Sequence, residues 1–534
     1  MTQTKQPTNT GALATLVIVF FFWGFIAASN SIFIPFCRTH FNLNQFQSQL
    51  IGSAFYGAYF IGSLTLYLVS SLVGYDILNK IGYKKGIVYG LWISVAGALL
   101  IIPSANANSF PAILASFFVV ALGFSLQQTS AQPFAIALGD PSTGSHRLNL
   151  AGGVNSLGTT LGPIIVSFFL FGTPKAGNTT VTVTNVNNLY MIVAAVFAAV
   201  ALFFAFSKLP SGKDDAKFEA SSKATRSLVI MTALIILIII IGQLTNIGKL
   251  PLLVITLLVV FGILFYSYNS ASSNSAGWGA MKYQQLILGM LGIFLYVGVE
   301  VTIDNNFGAL LKSPGYITDS GLHDNEISKY ITLYWGSLMI GRWTGAIGVF
   351  ELSAMGKRIA TVIVPLIAFA IILFVNHIYG NDVSDLYAYV IMVAIAITAF
   401  FYGQQKPVKT LLTLAVLGTC LMLFGVATKG IISVYAFMAG GLCCSIMWPC
   451  IFALGVAGLG KYTSQGSAFL IMMILGGAVI PPFQGTIGDT TGSMHVSYLV
   501  AAACFAALAF LALRFRVVLK SQGLNFDDQI GTSH

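Results

Sequence analysis

Charge is scarce in this chain. Of 534 residues, 8% are Asp, Glu, Lys or Arg, and 56% are hydrophobic. A soluble domain carries roughly 25% charged residues, so a soluble globular fold is excluded. Extended polar stretches are missing too: no loop between hydrophobic runs exceeds about 20 residues. That leaves no room for a soluble catalytic domain. No G-x-x-x-x-G-K-[ST] sequence occurs, which argues against an ATP-driven pump with its nucleotide domain on this chain. Cysteine is sparse, and five of the six (Cys37, Cys420, Cys443, Cys444, Cys450 and Cys504) lie in hydrophobic runs. No C-x-x-C and no Cys/His cluster with ligand spacing is found. The cysteines read as small packing residues, and neither a metal nor a cofactor is expected. His146, His323, His377 and His495 lie in loops or at run ends, so a histidine relay is not expected.

What is present is a succession of apolar runs. A membrane-spanning helix needs ~20 mostly apolar residues. Runs of this kind lie near 12–36, 48–73, 86–104, 110–137, 149–172, 189–207, 227–243, 250–268, 284–311, 329–350, 359–376, 385–403, 409–428, 432–457, 467–487 and 496–514. The expectation is an all-α polytopic membrane protein of about 16 spans. The first run is long and lacks a small-residue cleavage site, so it reads as a retained helix. With the N-terminus placed in the cytoplasm, nineteen Lys and Arg fall in inner segments and six in outer ones. Basic residues accumulate on the cytoplasmic side, so both termini are expected there. The net charge of +10 reflects this alternation, and nucleic acid is not an expected partner. The lipid bilayer is, and the chain is read as a monomer.

The polar stretch 208–226 is the expected boundary between halves: residues 1–207 form a six-helix bundle, and 284–514 a second one. The halves share the pattern P-x-x-x-A-L-G, at Pro133-Phe134-Ala135-Ile136-Ala137-Leu138-Gly139 and Pro449-Cys450-Ile451-Phe452-Ala453-Leu454-Gly455. Related halves are a common architecture of secondary transporters. The pairs at 227–268 and 359–403 are apolar with few polar residues inside the runs, as lipid-facing helices are. They read as two extra helix pairs, the second inserted in the C-terminal bundle. Residues 515–534 read as a cytoplasmic tail.

Three charged residues sit well inside the apolar runs: Glu300, Asp304 and Arg342. Ionisable groups at membrane depth cost ~2.5–3.5 kcal/mol on insertion scales, which points to an ion or proton pathway. Glu300 and Asp304 are four residues apart and share one helix face. They are the expected ion-coupling groups, Glu300 foremost, with Arg342 on the next span as counter-charge. A structural ion pair locking two helices is the competing reading. Gln127, Gln128 and Gln132 on the fourth run, Asn155 on the fifth, Asn30 on the first and Asn305 beside Asp304 can each donate and accept hydrogen bonds. They are candidate contacts for sugar hydroxyls, against the alternative of interhelical bonding. Trp448, Tyr334 and Trp335 are the candidate stacking aromatics; Tyr56 and Tyr59 are weaker ones. Pro481-Pro482 is expected to kink its helix.

Several motifs occur in order along the chain. They are Ser53-Ala54-Phe55-Tyr56, Gln132-Pro133-Phe134, Arg147-Leu148-Asn149-Leu150-Ala151 and Asn155-Ser156-Leu157-Gly158, then Tyr296-Val297-Gly298-Val299-Glu300, Tyr334-Trp335-Gly336, Gly341-Arg342, Ser445-Ile446-Met447-Trp448-Pro449 and Gly458-Leu459-Gly460-Lys461-Tyr462-Thr463. Over the twelve core runs this chain resembles the fucose–glucose/galactose permease (fucose:H+ symporter) branch of the major facilitator superfamily. The resemblance implies two six-helix bundles with a sugar site between them. It also implies import of a hexose or deoxyhexose (fucose, galactose, glucose or N-acetylglucosamine) by cation symport through alternating access, across a bacterial inner membrane. The proton-coupled fucose branch carries acids where this chain has Ser31 and Gln128, so its coupling scheme does not transfer residue by residue. H+ is the expected coupling ion, with Na+ coupling, uncoupled transport and export of another small molecule as alternatives. A channel would want repeated pore charges, and a membrane-embedded enzyme clustered catalytic residues. No repeated pore charges occur, only Glu300 and Asp304 cluster, and no catalytic residue is expected.

Overall fold

The computed structural model describes residues 7–43, 45–171, 182–211, 221–322, 324–403 and 406–524. Eighteen helices of nine residues or more carry the described fold. They are α1 (Thr10–His40), α2 (Gln45–Val73), α3 (Tyr83–Asn106), α4 (Phe110–Ala137), α5 (Gly144–Phe171), α6 (Val183–Phe206), α7 (Ser222–Leu244), α8 (Lys249–Ser273) and α9 (Gln284–Leu311). There follow α10 (Asp324–Ala346), α11 (Ala354–Ile378), α12 (Val390–Gly403), α13 (Pro407–Ala427), α14 (Gly430–Cys444), α15 (Met447–Gly455), α16 (Thr463–Met472), α17 (Gly476–Thr491) and α18 (Leu499–Ser521). No strand occurs among the described residues. Membrane spans favour this outcome because helices satisfy every backbone donor and acceptor internally.

Helix starts follow local chemistry. Ser109 accepts from the Ala112 N–H ahead of α4, and Ser353 from the Gly356 N–H ahead of α11. Thr182 and Asn185 form a reciprocal capping box at α6. Proline decides two interruptions. The expected span 432–457 is two helices, α14 and α15, parted at Ser445–Ile446, with Pro449 in the first turn of α15. There its missing N–H is no loss, since first-turn donors lack helical partners anyway. Its counterpart Pro133 sits inside the continuous α4. The expected span 467–487 breaks into a tight 3-10 turn at Met473–Leu475, ahead of Pro481-Pro482.

Thirteen helices among the described residues are long and apolar enough to cross a membrane. Three other expected spans are helical but outside that set. The expected span 12–36 corresponds to α1. The expected spans 149–172 and 329–350 correspond to α5 and α10. The second is diluted by Asp324, Glu326, Lys329 and Arg342.

The chain divides into two compact units. One comprises Met1–Ser63, Leu78–Asp215 and Leu338–Val390; the other Leu64–Ile77, Ala216–Ser337 and Ile391–His534. In the first unit α3 packs on α4 and α6, and α1 on α5. Gly24 and Gly158 set the α1–α5 approach. A Cβ on Gly24 would strike the Asn155 carbonyl, and one on Gly158 the Phe21 carbonyl. Small residues let membrane helices meet this closely. In the second unit α9 is central, against α15, α17 and α18. Its best apolar window is 89% buried, against 17% for α7 and 22% for α8. The α7–α8 pair therefore offers most of its apolar surface outward, where lipid suits it.

Candidate substrate and ion site

From Gly292 to Asp304 on α9, every residue is buried except Glu300 and Asp304, which are half-buried. Within this segment the accessible positions are thus the two acids, one turn apart.

Each acid has its own neighbours within the second unit. The Tyr296 hydroxyl, one turn before Glu300, donates to Glu300 Oε1 at 2.7 Å. The Tyr334 hydroxyl on α10 donates to the Glu300 backbone carbonyl at 2.7 Å. The Trp335 indole donates to the Asp304 carboxylate. Asp304 Oδ1 is buried and has no hydrogen-bond partner among the described residues. An aromatic wall adjoins them. The Trp448 and Tyr296 rings lie 5.9 Å apart, and Trp448 stacks on Phe452 at 6.1 Å. Tyr334 meets Trp335 edge-on at 5.7 Å. Tyr296 and Tyr334 are fully buried, whereas Trp335 and Trp448 are half-buried. The two tryptophans can therefore still offer a face to a ring-shaped ligand. Asn305 is exposed.

The neighbouring face of α9 does structural work. Asn306 donates to the Thr302 carbonyl at 3.0 Å and to the Pro481 carbonyl at 3.3 Å. Thr302 donates to Gln484 Oε1 at 3.0 Å, and the Tyr498 hydroxyl to the Ile303 carbonyl at 3.1 Å. These bonds tie α9 to α17 and α18 and fix its rotation, and hence the direction of the acids.

The first unit holds the remaining candidates. Gln127 is buried and committed at both ends: Oε1 accepts from Trp23 Nε1 at 2.6 Å, and Nε2 donates to Ser94 Oγ at 3.0 Å. Gln128 is half-buried and donates to the Tyr59 hydroxyl at 2.9 Å. Gln132 is buried. Asn155 is half-buried and donates to the Phe20 carbonyl at 2.9 Å, bridging α5 to α1. Asn30 lies on α1, with its side chain outside those described. Arg342 also belongs to this unit, where it lies against Gly152 and donates to Ser156 Oγ at 2.9 Å. Next to it, Trp343 donates to the Gly153 carbonyl at 3.1 Å.

Sequence reasoning gave no role to two groups that stand in the motifs above. Tyr296 could have been found, because it stands four residues before Glu300 and so shares its face. Arg147 could not. It is fully buried, with Nε donating to the Ala135 carbonyl at 2.8 Å and Nη2 to the Ile136 and Asp140 carbonyls at 2.6 and 2.8 Å. Nη1 donates to Thr143 Oγ1 at 2.8 Å. The guanidinium thereby satisfies end carbonyls of α4, which no intrahelical donor reaches. Burial lowers its pKa to about 10, opposed by the charge of Asp140. Beside it, ahead of the 149–172 run, His146 Nδ1 donates to the Gly345 carbonyl at 3.0 Å. Burial pushes the His146 imidazole down to about 4, against that bond and with help from Arg147 and Lys357. Among the described residues, no group of three His, Cys, Asp or Glu could hold a metal ion.

Comparison with known proteins returns likeness over the whole chain. The glucose/galactose transporter of Brucella abortus is 30% identical over 513 residues, covering 96% of each chain. The L-fucose-proton symporter of Escherichia coli is 26% identical over 520 residues, covering 94% of this chain and 92% of that protein. The crystal structure of the E. coli fucose:proton symporter superposes with a TM-score of 0.63 at 22% identity, covering 94% of this chain and 98% of that one. Its fold is that of the major facilitator superfamily. No family model matches the chain. With motifs spread over both halves and 30% identity along 96% of its length, the chain belongs to the fucose–glucose/galactose permease branch of the major facilitator superfamily.

Proposed function

We propose that this chain imports a monosaccharide, a hexose or deoxyhexose, by cation symport with H+ through alternating access. The observation that carries the coupling is the pair of acids on α9, where Glu300 and Asp304 are the only half-buried residues between Gly292 and Asp304. A pair of carboxylates so placed can take up a cation from one side and yield it to the other. The sugar part is supported by the relatives named for glucose, galactose and fucose, and by the wall of Tyr296, Trp335 and Trp448 beside the acids. Aromatic faces suit the C–H faces of a pyranose, and carboxylate and amide groups suit its hydroxyls.

In this reading Glu300, Asp304 and Arg342 serve ion coupling, and Gln128, Asn155, Tyr334, Trp335 and Trp448 serve the sugar. Gln127 and Asn155 already hold neighbouring helices, so a bound sugar would have to share or displace those bonds. The layout proposed is two six-helix bundles plus the α7–α8 and α11–α12 pairs, about 16 crossings in all, with both termini cytoplasmic in a bacterial inner membrane.

Uptake into proteoliposomes, with imposed pH or Na+ gradients and a panel of L-fucose, D-galactose, D-glucose and N-acetylglucosamine, tests the proposal. An inside-alkaline gradient should drive accumulation of at least one sugar. Accumulation driven by Na+ alone would reassign the ion, and indifference to both gradients would remove the symport claim.

A further inference from the structure

The two acids on α9 are not equivalent, and their difference assigns them different tasks. Glu300 Oε1 receives a short hydrogen bond from the Tyr296 hydroxyl, at 2.7 Å. A phenol has one proton to give, and giving it to an ionised carboxylate makes a charge-assisted bond of roughly twice the strength of a neutral one. Tyr296 is buried and its ring is held against Trp448. Its hydroxyl is therefore aimed at the carboxylate by packing.

Asp304 is provided for differently. Trp335 donates to its carboxylate, and Oδ1 is a buried acceptor that no described residue serves. Leaving a charged group short of a hydrogen bond in a buried place costs more than leaving a neutral one short. Glu300, one turn away, adds like-charge repulsion if both are ionised. The remedy available to Asp304 is to bind a proton at Oδ1: one O–H bond forms, the negative charge disappears, and release later returns the proton to water on the other side. Indole donation to the remaining oxygen is compatible with both forms.

Resting on the symport reading, we infer that Asp304 is the acid that loads and releases the transported proton, while Glu300 stays a carboxylate, held by Tyr296, and serves the sugar. This narrows the proton-loading part of the coupling role proposed above to Asp304, moves Glu300 to the sugar, and reverses the priority that depth alone suggests. Glu300 is deeper in the span, yet it has a dedicated donor on its carboxylate; Asp304 has an unserved oxygen.

The test uses purified full-length protein in proteoliposomes, with whichever panel sugar the wild type accumulates. Three readouts are taken: uptake driven by an inside-alkaline gradient, sugar-evoked proton movement, and the pH dependence of sugar counterflow, which needs no net proton transfer. Asp304→Asn should lose gradient-driven accumulation and sugar-evoked proton movement, and its counterflow should no longer vary with pH. Asp304→Glu should restore both coupled readouts. Glu300→Gln should lower counterflow at every pH by ~10-fold or more, the factor that about 1.4 kcal/mol of lost sugar contact produces. Accumulation or proton movement retained by Asp304→Asn overturns the assignment. So does loss of counterflow in Asp304→Asn that Asp304→Glu does not rescue. A wild type indifferent to the pH gradient instead overturns the symport reading beneath it, and the assignment falls with it.

Discussion

Tyr296 and Glu300 sit one turn apart on α9 and are joined by a 2.7 Å hydrogen bond from phenol to carboxylate. Tyr296→Phe removes one oxygen and keeps the ring against Trp448. A hydrogen bond to a charged group contributes ~1.5–3 kcal/mol. The expected outcome is an apparent Kd for sugar raised by about tenfold, the factor that ~1.4 kcal/mol produces, in a protein that still melts cooperatively. Equilibrium binding and a melting curve on the same preparation check it; an unaltered Kd would show that the hydroxyl does not act on the site.

Gln127 and Gln128 are neighbours in sequence with different commitments. Gln127→Ala strands the buried Trp23 indole N–H and the Ser94 hydroxyl. An unsatisfied buried group costs ~1–3 kcal/mol, so Tm should fall with the sugar Kd held. Gln128→Ala should do the reverse, raising Kd and sparing Tm. Equal effects of the two substitutions on Kd would contradict this division.

Arg147 closes the end of α4 with bonds to three carbonyls and the Thr143 hydroxyl. Arg147→Ala should destabilise by about 3 kcal/mol or more, since several buried acceptors lose their donor together. Arg147→Lys should rescue little, because one ammonium cannot span the positions that a planar guanidinium reaches. Detergent-solubilised melting temperatures decide this, and full rescue by Lys would refute the geometric argument.

His146 is held neutral with a folded pKa of about 4, below its ordinary value of 6.5. The sign follows from linkage: its contribution is intact above pH ~6.5 and is lost as pH falls through about 4, where the unfolded chain binds the proton first. Wild-type Tm should drop between neutral pH and pH ~4.5, and His146→Gln should show a smaller drop. Parallel pH curves for the two proteins would sink the expectation.

Legibility differed by element. The helices were readable because runs such as 284–311 are too apolar for water and long enough for a bilayer. The breaks at Ser445–Ile446 and Met473–Leu475 were not, since proline marks a weakness without saying where the chain yields. Glu300 and Asp304 stood out because charge inside an apolar run is expensive wherever it points. Gln127 and Gln128 looked alike in sequence, and only their partners on α1, α2 and α3 separate them.

By itself, the sequence determined the membrane class, the helical content, the family likeness and the identity of the embedded acids. Each follows from composition, from the length of apolar runs or from local motif, which need no knowledge of neighbours. Tertiary structure decided which acid has a donor, which glutamine is already spent, and that Arg147 caps a helix. Those are properties of side chains brought together from distant positions. Hydrogen bonding acts over about 3 Å, a range at which sequence separation carries no information.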